Sequence, residues 1–216
     1  ARDRLSGRLR IGVIPTVAPY LLPRLIARLT ALYPDLDLAL RETVTPRLIQ
    51  ELHEGRLDTA IVALPVSEPA LTEAALFSET FMLVRPAEEA ARPVPSRETL
   101  REMRLLLLEE GHCFRDQALS FCNLSAASTA PREILDGSSL STLVQMVGAG
   151  IGVTLIPEMA VEVETRSAPV AVTAFRDPQP RRTIGMVWRR TSPLGAQLAE
   201  MAAVVRDLGR APPETA

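Results

Sequence analysis

Within its first sixty-four residues the chain switches repeatedly between two apolar periods, and that switching limits the fold more than any other feature. Arg8-Leu9-Arg10-Ile11-Gly12-Val13-Ile14 alternates like a strand and runs into the turn Pro15-Thr16-Val17-Ala18-Pro19. Leu22, Leu25, Ile26, Leu29 and Leu32 then recur at helical spacing until Tyr33-Pro34 stops them, and Leu36, Leu38 and Leu40 alternate again. Thr45-Pro46 predicts an N-cap and first turn for a helix carrying Leu48, Ile49 and Leu52 and ended by Gly55. A strand follows over residues 57–64. Strand and helix alternating in this way predict a parallel sheet with crossover helices.

Beyond that block, residues 71–77 and 80–84 read as strand segments, and residues 85–95, rich in Pro, Ala and Glu, as a connector. A second unit is expected after it: a short helix over 97–103, a strand over 105–109, a helix over 140–147, and strands over 152–156 and 170–175. Residues 182–188 read as a strand, and 194–208 as a final amphipathic helix with Leu198, Met201, Ala202 and Val205 on one face. The predicted fold is α/β, with two Rossmann-like lobes joined by two crossover strands in the manner of periplasmic binding proteins. Lobe I would comprise residues 1–82 and 181–216, and lobe II residues 83–180, carrying both cysteines. Such a layout places a ligand at strand ends and helix N-termini between the lobes.

Composition narrows the function classes. With 47% hydrophobic residues among 216, the chain can bury one large core or two small ones. Its longest apolar runs fall far short of the roughly 18 residues of a membrane span. The charged start Ala1-Arg2-Asp3-Arg4 shows no signal peptide, so the chain reads as cytoplasmic or as a processed fragment. A net charge of −2 and a pI near 5.8 argue against direct nucleic-acid binding. All 24 basic residues are Arg. Two cysteines are too few for a disulfide scaffold, and with two isolated histidines they make no metal-site spacing.

Cys113 is the residue with the clearest reactive setting. A thiol attacks oxidants as its thiolate, which positive charge or a helix N-terminus favours. His112 and Arg115 flank Cys113, and a helix is expected to begin there; Glu109, Glu110 and Asp116 oppose the effect if they lie close. The plain alternative is a buried, inert cysteine beside a solvated His and Arg. Cys122 lies in the apolar stretch Ala118-Leu119-Ser120-Phe121-Cys122-Asn123-Leu124, which suits an unreactive thiol or simple core packing.

Three segments resemble the effector-binding domain of LysR-type transcriptional regulators: residues 8–16, residues 48–64 with Leu52, Gly55, Leu57 and Asp58, and Val147-Gly148-Ala149-Gly150-Ile151-Gly152-Val153-Thr154-Leu155-Ile156-Pro157. The likeness runs from about residue 7 to about residue 209. Gly111-His112-Cys113-Phe114-Arg115-Asp116-Gln117, with Cys122 nine residues after Cys113, is similar to the peroxide-sensing subgroup. Arg181-Arg182-Thr183-Ile184-Gly185 and Ser192-Pro193-Leu194 point the same way.

The resemblance implies a regulatory domain, with an N-terminal winged helix-turn-helix domain absent from this chain. It further implies homodimers and homotetramers, promoter DNA and RNA polymerase as partners through the missing domain, and transcriptional activation under oxidative stress. No cofactor, metal or membrane is implied. Hydrogen peroxide would oxidise Cys113 to a sulfenic acid, and Cys122 would resolve it to an intramolecular disulfide, reduced again by glutaredoxin or thioredoxin. Thr16, Thr45, His112 and Arg182 would surround the peroxide, with Arg115 and Asp116 in support. Each has an ordinary alternative: Thr45 as the helix cap, Thr16 as a turn residue, Arg182 as a surface ion pair. A helix over residues 113–122 would hold the two Cα atoms about 13.5 Å apart, whereas a disulfide needs them within ~7 Å. Bond formation would therefore refold the segment.

Three competing functions carry their own discriminators. A LysR-type domain binding a small organic effector would lose no thiols reversibly to low peroxide. A periplasmic solute-binding protein is disfavoured by the missing signal, and a peroxidase would show multiple turnovers with a reductant. Ser138-Ser139 is read as a helix cap only, and His53 as solvent-facing.

Overall fold

The computed structural model describes residues 5–124 and 134–210. The chain divides into two compact units, Ala1–Ser78 with Thr183–Ala216 and Glu79–Arg182. Unit 1 begins with β1 (Gly7–Val13), α1 (Ala18–Leu32), β2 (Leu36–Glu42), α2 (Thr45–His53) and β3 (Thr59–Leu64). Strand β4 (Leu71–Pro86) starts in unit 1 and continues into unit 2. Unit 2 adds α3 (Arg97–Glu102), β5 (Leu105–Leu108), α4 (Cys113–Phe121), β6 (Ile134–Gly137), α5 (Leu140–Gly148), β7 (Val153–Pro157), α6 (Val161–Glu164) and β8 (Val170–Ala174). Strand β9 (Arg181–Arg189) returns to unit 1, which α7 (Gly195–Arg210) completes.

In unit 1, β1 pairs in parallel with β2 and β3, and β9 runs antiparallel to β3. The period-two pattern of β1 buries Leu9, Ile11 and Val13, while β3, inside the sheet, is buried from Thr59 to Ala63. Gly12 leaves room for close packing: a Cβ there would run into the side-chain ends of Leu48 on α2 and of Leu57. The buried stripe of α1 is Ala18, Leu21, Leu25 and Leu29, which turns Ile26 outward. Helix α7 buries Leu198, Met201, Ala202 and Val205 as its pattern predicts.

In unit 2 the strands lie in the order β8-β4-β7-β5-β6, with β4 antiparallel to both neighbours and β5 parallel to both of its own. All four residues of β5 are buried, the apolar run expected of an interior parallel strand. Ser96 and Ser139 cap α3 and α5, each accepting a backbone N–H three residues on at 3.2 Å.

Helix α6 is not expected from the sequence, and three further elements depart from the expectation. Strand β4 is one sixteen-residue strand rather than two segments; the polar Ser78-Glu79-Thr80 that suggests a break is extended backbone. Strand β6 has no sequence signal, since Ile134-Leu135-Asp136-Gly137 is short and ends like a turn. Helix α2 is preceded by Val44 as N-cap, so Thr45 is its first residue rather than its cap. A proline fits either of the first helical positions, because neither N–H has an intrahelical partner, and Pro46 therefore does not set the cap position.

Candidate functional site

Buried β5 delivers the chain to the segment that carries both cysteines. Glu109 N–H donates to the Gly137 carbonyl at 3.0 Å, extending the β5–β6 pairing by one bond. The backbone then turns at Gly111, whose φ of +95° is open to a residue without a side chain. His112 is the N-cap of α4 in extended conformation, and its carbonyl accepts from Arg115 N–H at 3.0 Å. Cys113 is the first residue of the helix and half-buried; Cys122, its C-cap, is fully buried. The two are not joined in a disulfide. Nine residues of helical rise separate their Cα atoms by about 13.5 Å.

The far end of α4 closes on backbone bonds. Leu124 N–H donates to Leu119 O at 2.9 Å and Asn123 N–H to Ser120 O at 3.1 Å, with Asn123 left-handed at φ +53°. This is a Schellman closure. Helices α2 and α5 end in the same pattern, but with Gly55 (φ +71°) and Gly150 (φ +78°) at the left-handed position. Asparagine bears a Cβ where the other two helices have none.

Aromatic contacts hold α4 along its length. Phe114 packs edge-on against Phe81 with centroids 4.7 Å apart, and Arg182 lies 5.4 Å over the same ring. At the other end Phe121 packs against Phe175 at 4.9 Å, and Arg97 lies 4.6 Å over it. Each such cation–ring contact is worth about 0.5–1 kcal/mol where solvent reaches it and more where it does not.

The charges around Cys113 are arranged differently from the sequence expectation. Arg115 donates to the Leu108 carbonyl at 2.8 Å and pairs with Asp136 at 2.5 Å, so its charge is already met by a carboxylate. His112 is buried, and burial holds its pKa below the ordinary value against an opposing pull from Glu109. It is therefore a neutral imidazole near neutral pH, suited to hydrogen bonding rather than to supplying charge. Arg182 is 3% exposed and not a surface residue: its Nη2 and Nε lie 2.8 and 2.9 Å from Glu79 Oε2. Cys122 is pushed up to about 11 by burial, with Arg97 and Arg101 pulling the other way, and is a protonated thiol in the folded chain.

Of the predicted site residues, His112, Cys113, Arg115, Asp116, Cys122 and Arg182 belong to unit 2 and Thr16 and Thr45 to unit 1. Thr16 is buried in the turn after β1, and Thr45 opens α2. Asp116 borders an open cleft of about 380 Å³ along α4, shared with Gln117, Ser120 and Phe121. Gln117 Oε1 is buried there without a hydrogen-bond partner among the described residues. Sequence reasoning missed Glu79, Arg97 and Phe175. Each meets the site through the fold from a distant position, and only the aromatic Phe121 beside Cys122 was available as a signal. Among the described residues no group of His, Cys, Asp or Glu is placed to hold a metal, and no helix is long and apolar enough to cross a membrane.

A two-unit α/β chain with paired thiols on one helix matches the LysR substrate binding domain over residues 2–210, and the chain belongs to that family. Among its relatives are hydrogen peroxide-inducible genes activators and OxyR. The "Probable hydrogen peroxide-inducible genes activator" of Streptomyces viridosporus is 45% identical over 208 residues, covering 95% of this chain and 66% of the relative. The DNA-binding transcriptional dual regulator OxyR of Escherichia coli K12 is 40% identical over 206 residues, covering 94% and 67%. The chain thus spans about two thirds of the length of these relatives. Among solved structures, the reduced OxyR regulatory domain of Pseudomonas aeruginosa superposes with a TM-score of 0.84 at 35% identity, covering 98% of this chain and 100% of that one. A cysteine-to-serine variant of Corynebacterium glutamicum OxyR with hydrogen peroxide bound gives 0.87 at 33% identity, covering 95% and 65%.

Proposed function

We propose that this chain is the peroxide-sensing regulatory domain of a LysR-type transcription regulator, with Cys113 as the reacting thiol and Cys122 as the resolving one. The observation that carries the reading is their placement: one half-exposed thiol at the N-terminus of α4 and one sealed thiol at its C-cap, in a chain whose relatives are peroxide-inducible activators. A thiol attacks an oxidant as its thiolate, and the half-exposed Cys113 is the one of the two that a peroxide can reach.

In the first step the Cys113 thiolate attacks one peroxide oxygen, an S–O bond forms and the O–O bond breaks. The departing hydroxide takes a proton and leaves as water, and the sulfur becomes a sulfenic acid. In the second step Cys122, deprotonated, attacks that sulfur; the S–S bond forms and the S–O bond breaks, with hydroxide again leaving as water. Thr16, Thr45 and neutral His112 are assigned the hydrogen bonds that orient the peroxide and steady the leaving hydroxide. Arg182, its charge balanced by Glu79, is assigned to the surroundings of the peroxide, and Arg115 and Asp116 anchor the reduced loop.

Because α4 holds the cysteines about 13.5 Å apart, resolution must unwind the segment. That refolding converts an oxidation into a change of shape. In the whole regulator the change would alter the homodimer or homotetramer and, through an N-terminal domain, its contacts with promoter DNA and RNA polymerase in the cytoplasm. Glutaredoxin or thioredoxin would reset it. Each oxidation is one signalling event rather than a catalytic turnover.

Intact mass and peptide mapping before and after one equivalent of hydrogen peroxide test the reading. The chain should lose two hydrogens by linking Cys113 to Cys122, reversibly with dithiothreitol. Cys113→Ser, which removes the attacking sulfur with almost no change of volume, should show neither change; an unaltered response in that variant would refute the assignment.

A further inference from the structure

Arg97 has no part in the chemistry above, yet it reaches the resolving end of α4 from another element. It is the first residue of α3, whose N-terminus Ser96 fixes by accepting Thr99 N–H at 3.2 Å. Its guanidinium carbon lies 4.6 Å over the ring of Phe121, and Nη2 reaches the Pro178 carbonyl at 3.4 Å. Phe121 is held on another side by Phe175 at 4.9 Å. Phe121 is the last residue of α4 and the immediate neighbour of Cys122. Cys122 cannot travel toward Cys113 while Phe121 keeps this place, because one peptide unit joins them and the disulfide requires Cα atoms within ~7 Å.

We propose that Arg97 is a positioning residue for the resolution step, a latch that keeps Phe121, and with it Cys122, in the reduced arrangement and so sets how fast the sulfenic acid is resolved. The inference rests on the proposed two-step oxidation. It concerns the second step alone: Arg97, on α3, meets α4 at Phe121, the end opposite Cys113, so attack on peroxide does not depend on the latch. A purely electrostatic role has the opposite sign. The cation also favours the Cys122 thiolate, so losing it would slow resolution if deprotonation governed the step.

The experiment follows sulfenic acid formation and disulfide formation separately after rapid mixing of the chain with hydrogen peroxide, using dimedone trapping for the first and mass analysis of quenched samples for the second. Arg97→Met keeps much of the apolar stem and removes the cation. It should speed resolution by roughly two- to fivefold, the weight of one cation–ring contact, with the first step unchanged. Arg97→Lys should recover much of the native rate. Phe121→Leu, which loses the Arg97 contact and the Phe175 packing together, should speed resolution further, and the double variant should match Phe121→Leu alone, since Arg97 then has no ring left to hold. Slower or unchanged resolution in Arg97→Met, or full additivity in the double variant, overturns the latch. If the native chain forms no sulfenic acid or no disulfide, the two-step reading itself fails, and that outcome is seen before any variant is made.

Discussion

Cys113 opens α4 and Cys122 caps it, so the helix that separates the two thiols also begins and ends on them. The pair is kept apart by the hydrogen bonds of a single helix. On the proposed mechanism, breaking that helix is both the condition for the disulfide and its structural result.

If Cys122 serves only to resolve, Cys122→Ser should leave the first oxidation of Cys113 nearly intact and let the sulfenic acid accumulate. Dimedone labelling should rise to near one per chain, and excess peroxide should carry the sulfur on to sulfinic acid. Failure to trap any adduct in this variant, with Cys113 still consumed, would remove the resolving role.

Burial of Cys122 makes stability depend on alkaline pH. The unfolded thiol ionises near its ordinary value of about 8.5, while in the folded chain it does so only at about 11. A pKa raised by folding contributes stability that is complete below the unfolded value and lost as pH rises through the folded one. Urea unfolding should lose about 3 kcal/mol between those limits, and the Cys122→Ser variant should lack that component.

Glu79 holds the charge balance around a buried guanidinium, with side-chain exposures of 0% for Arg182 and 6% for Glu79. Glu79→Gln keeps the shape and removes the negative charge. Such breaks of buried pairs cost about 3–5 kcal/mol, so the urea midpoint should fall sharply. Phe114, which Arg182 overlies, should gain mobility in hydrogen exchange of the first turn of α4. A loss under 1 kcal/mol would mean the pair is reached by water.

Asn123 is the weak link of the α4 closure, because it carries a side chain in the left-handed region. Asn123→Val, β-branched at φ +53°, should destabilise the reduced end of α4 by about 1–2 kcal/mol. If that closure is lost in the disulfide form, the Cys113–Cys122 potential should become more negative by roughly 20–45 mV. Equilibration against glutathione or thioredoxin buffers measures it, and an unchanged potential would show that the closure survives oxidation.

Much of the fold was legible because its signals are local. Period-two and helical spacing marked β1, α1, β2, α2 and the closing α7, and the apolar run Leu105–Leu108 marked a strand, which the structure buries throughout. Strand β6 escaped because it is short and has no alternation. The apolar setting of Cys122 was readable from its neighbours. The electrostatics around Cys113 were not: Arg115 reads in sequence as an unopposed charge beside the thiol, but its partner Asp136 is twenty-one residues on. The partner of Arg182 is 103 residues away on β4, so neither its burial nor its pairing could be read from its neighbours in sequence.

The sealing of Cys122 also decides which chemical events the chain records. On the proposed mechanism, an alkylating agent that consumes Cys113 leaves a sulfur with no leaving group, and Cys122, protonated and closed to solvent, has nothing to attack. Only a reagent that deposits a displaceable oxygen or an equivalent leaving group on Cys113 draws the second thiol out. The helix thus filters by kind of damage as well as by amount, passing on oxidation and staying silent to simple capping.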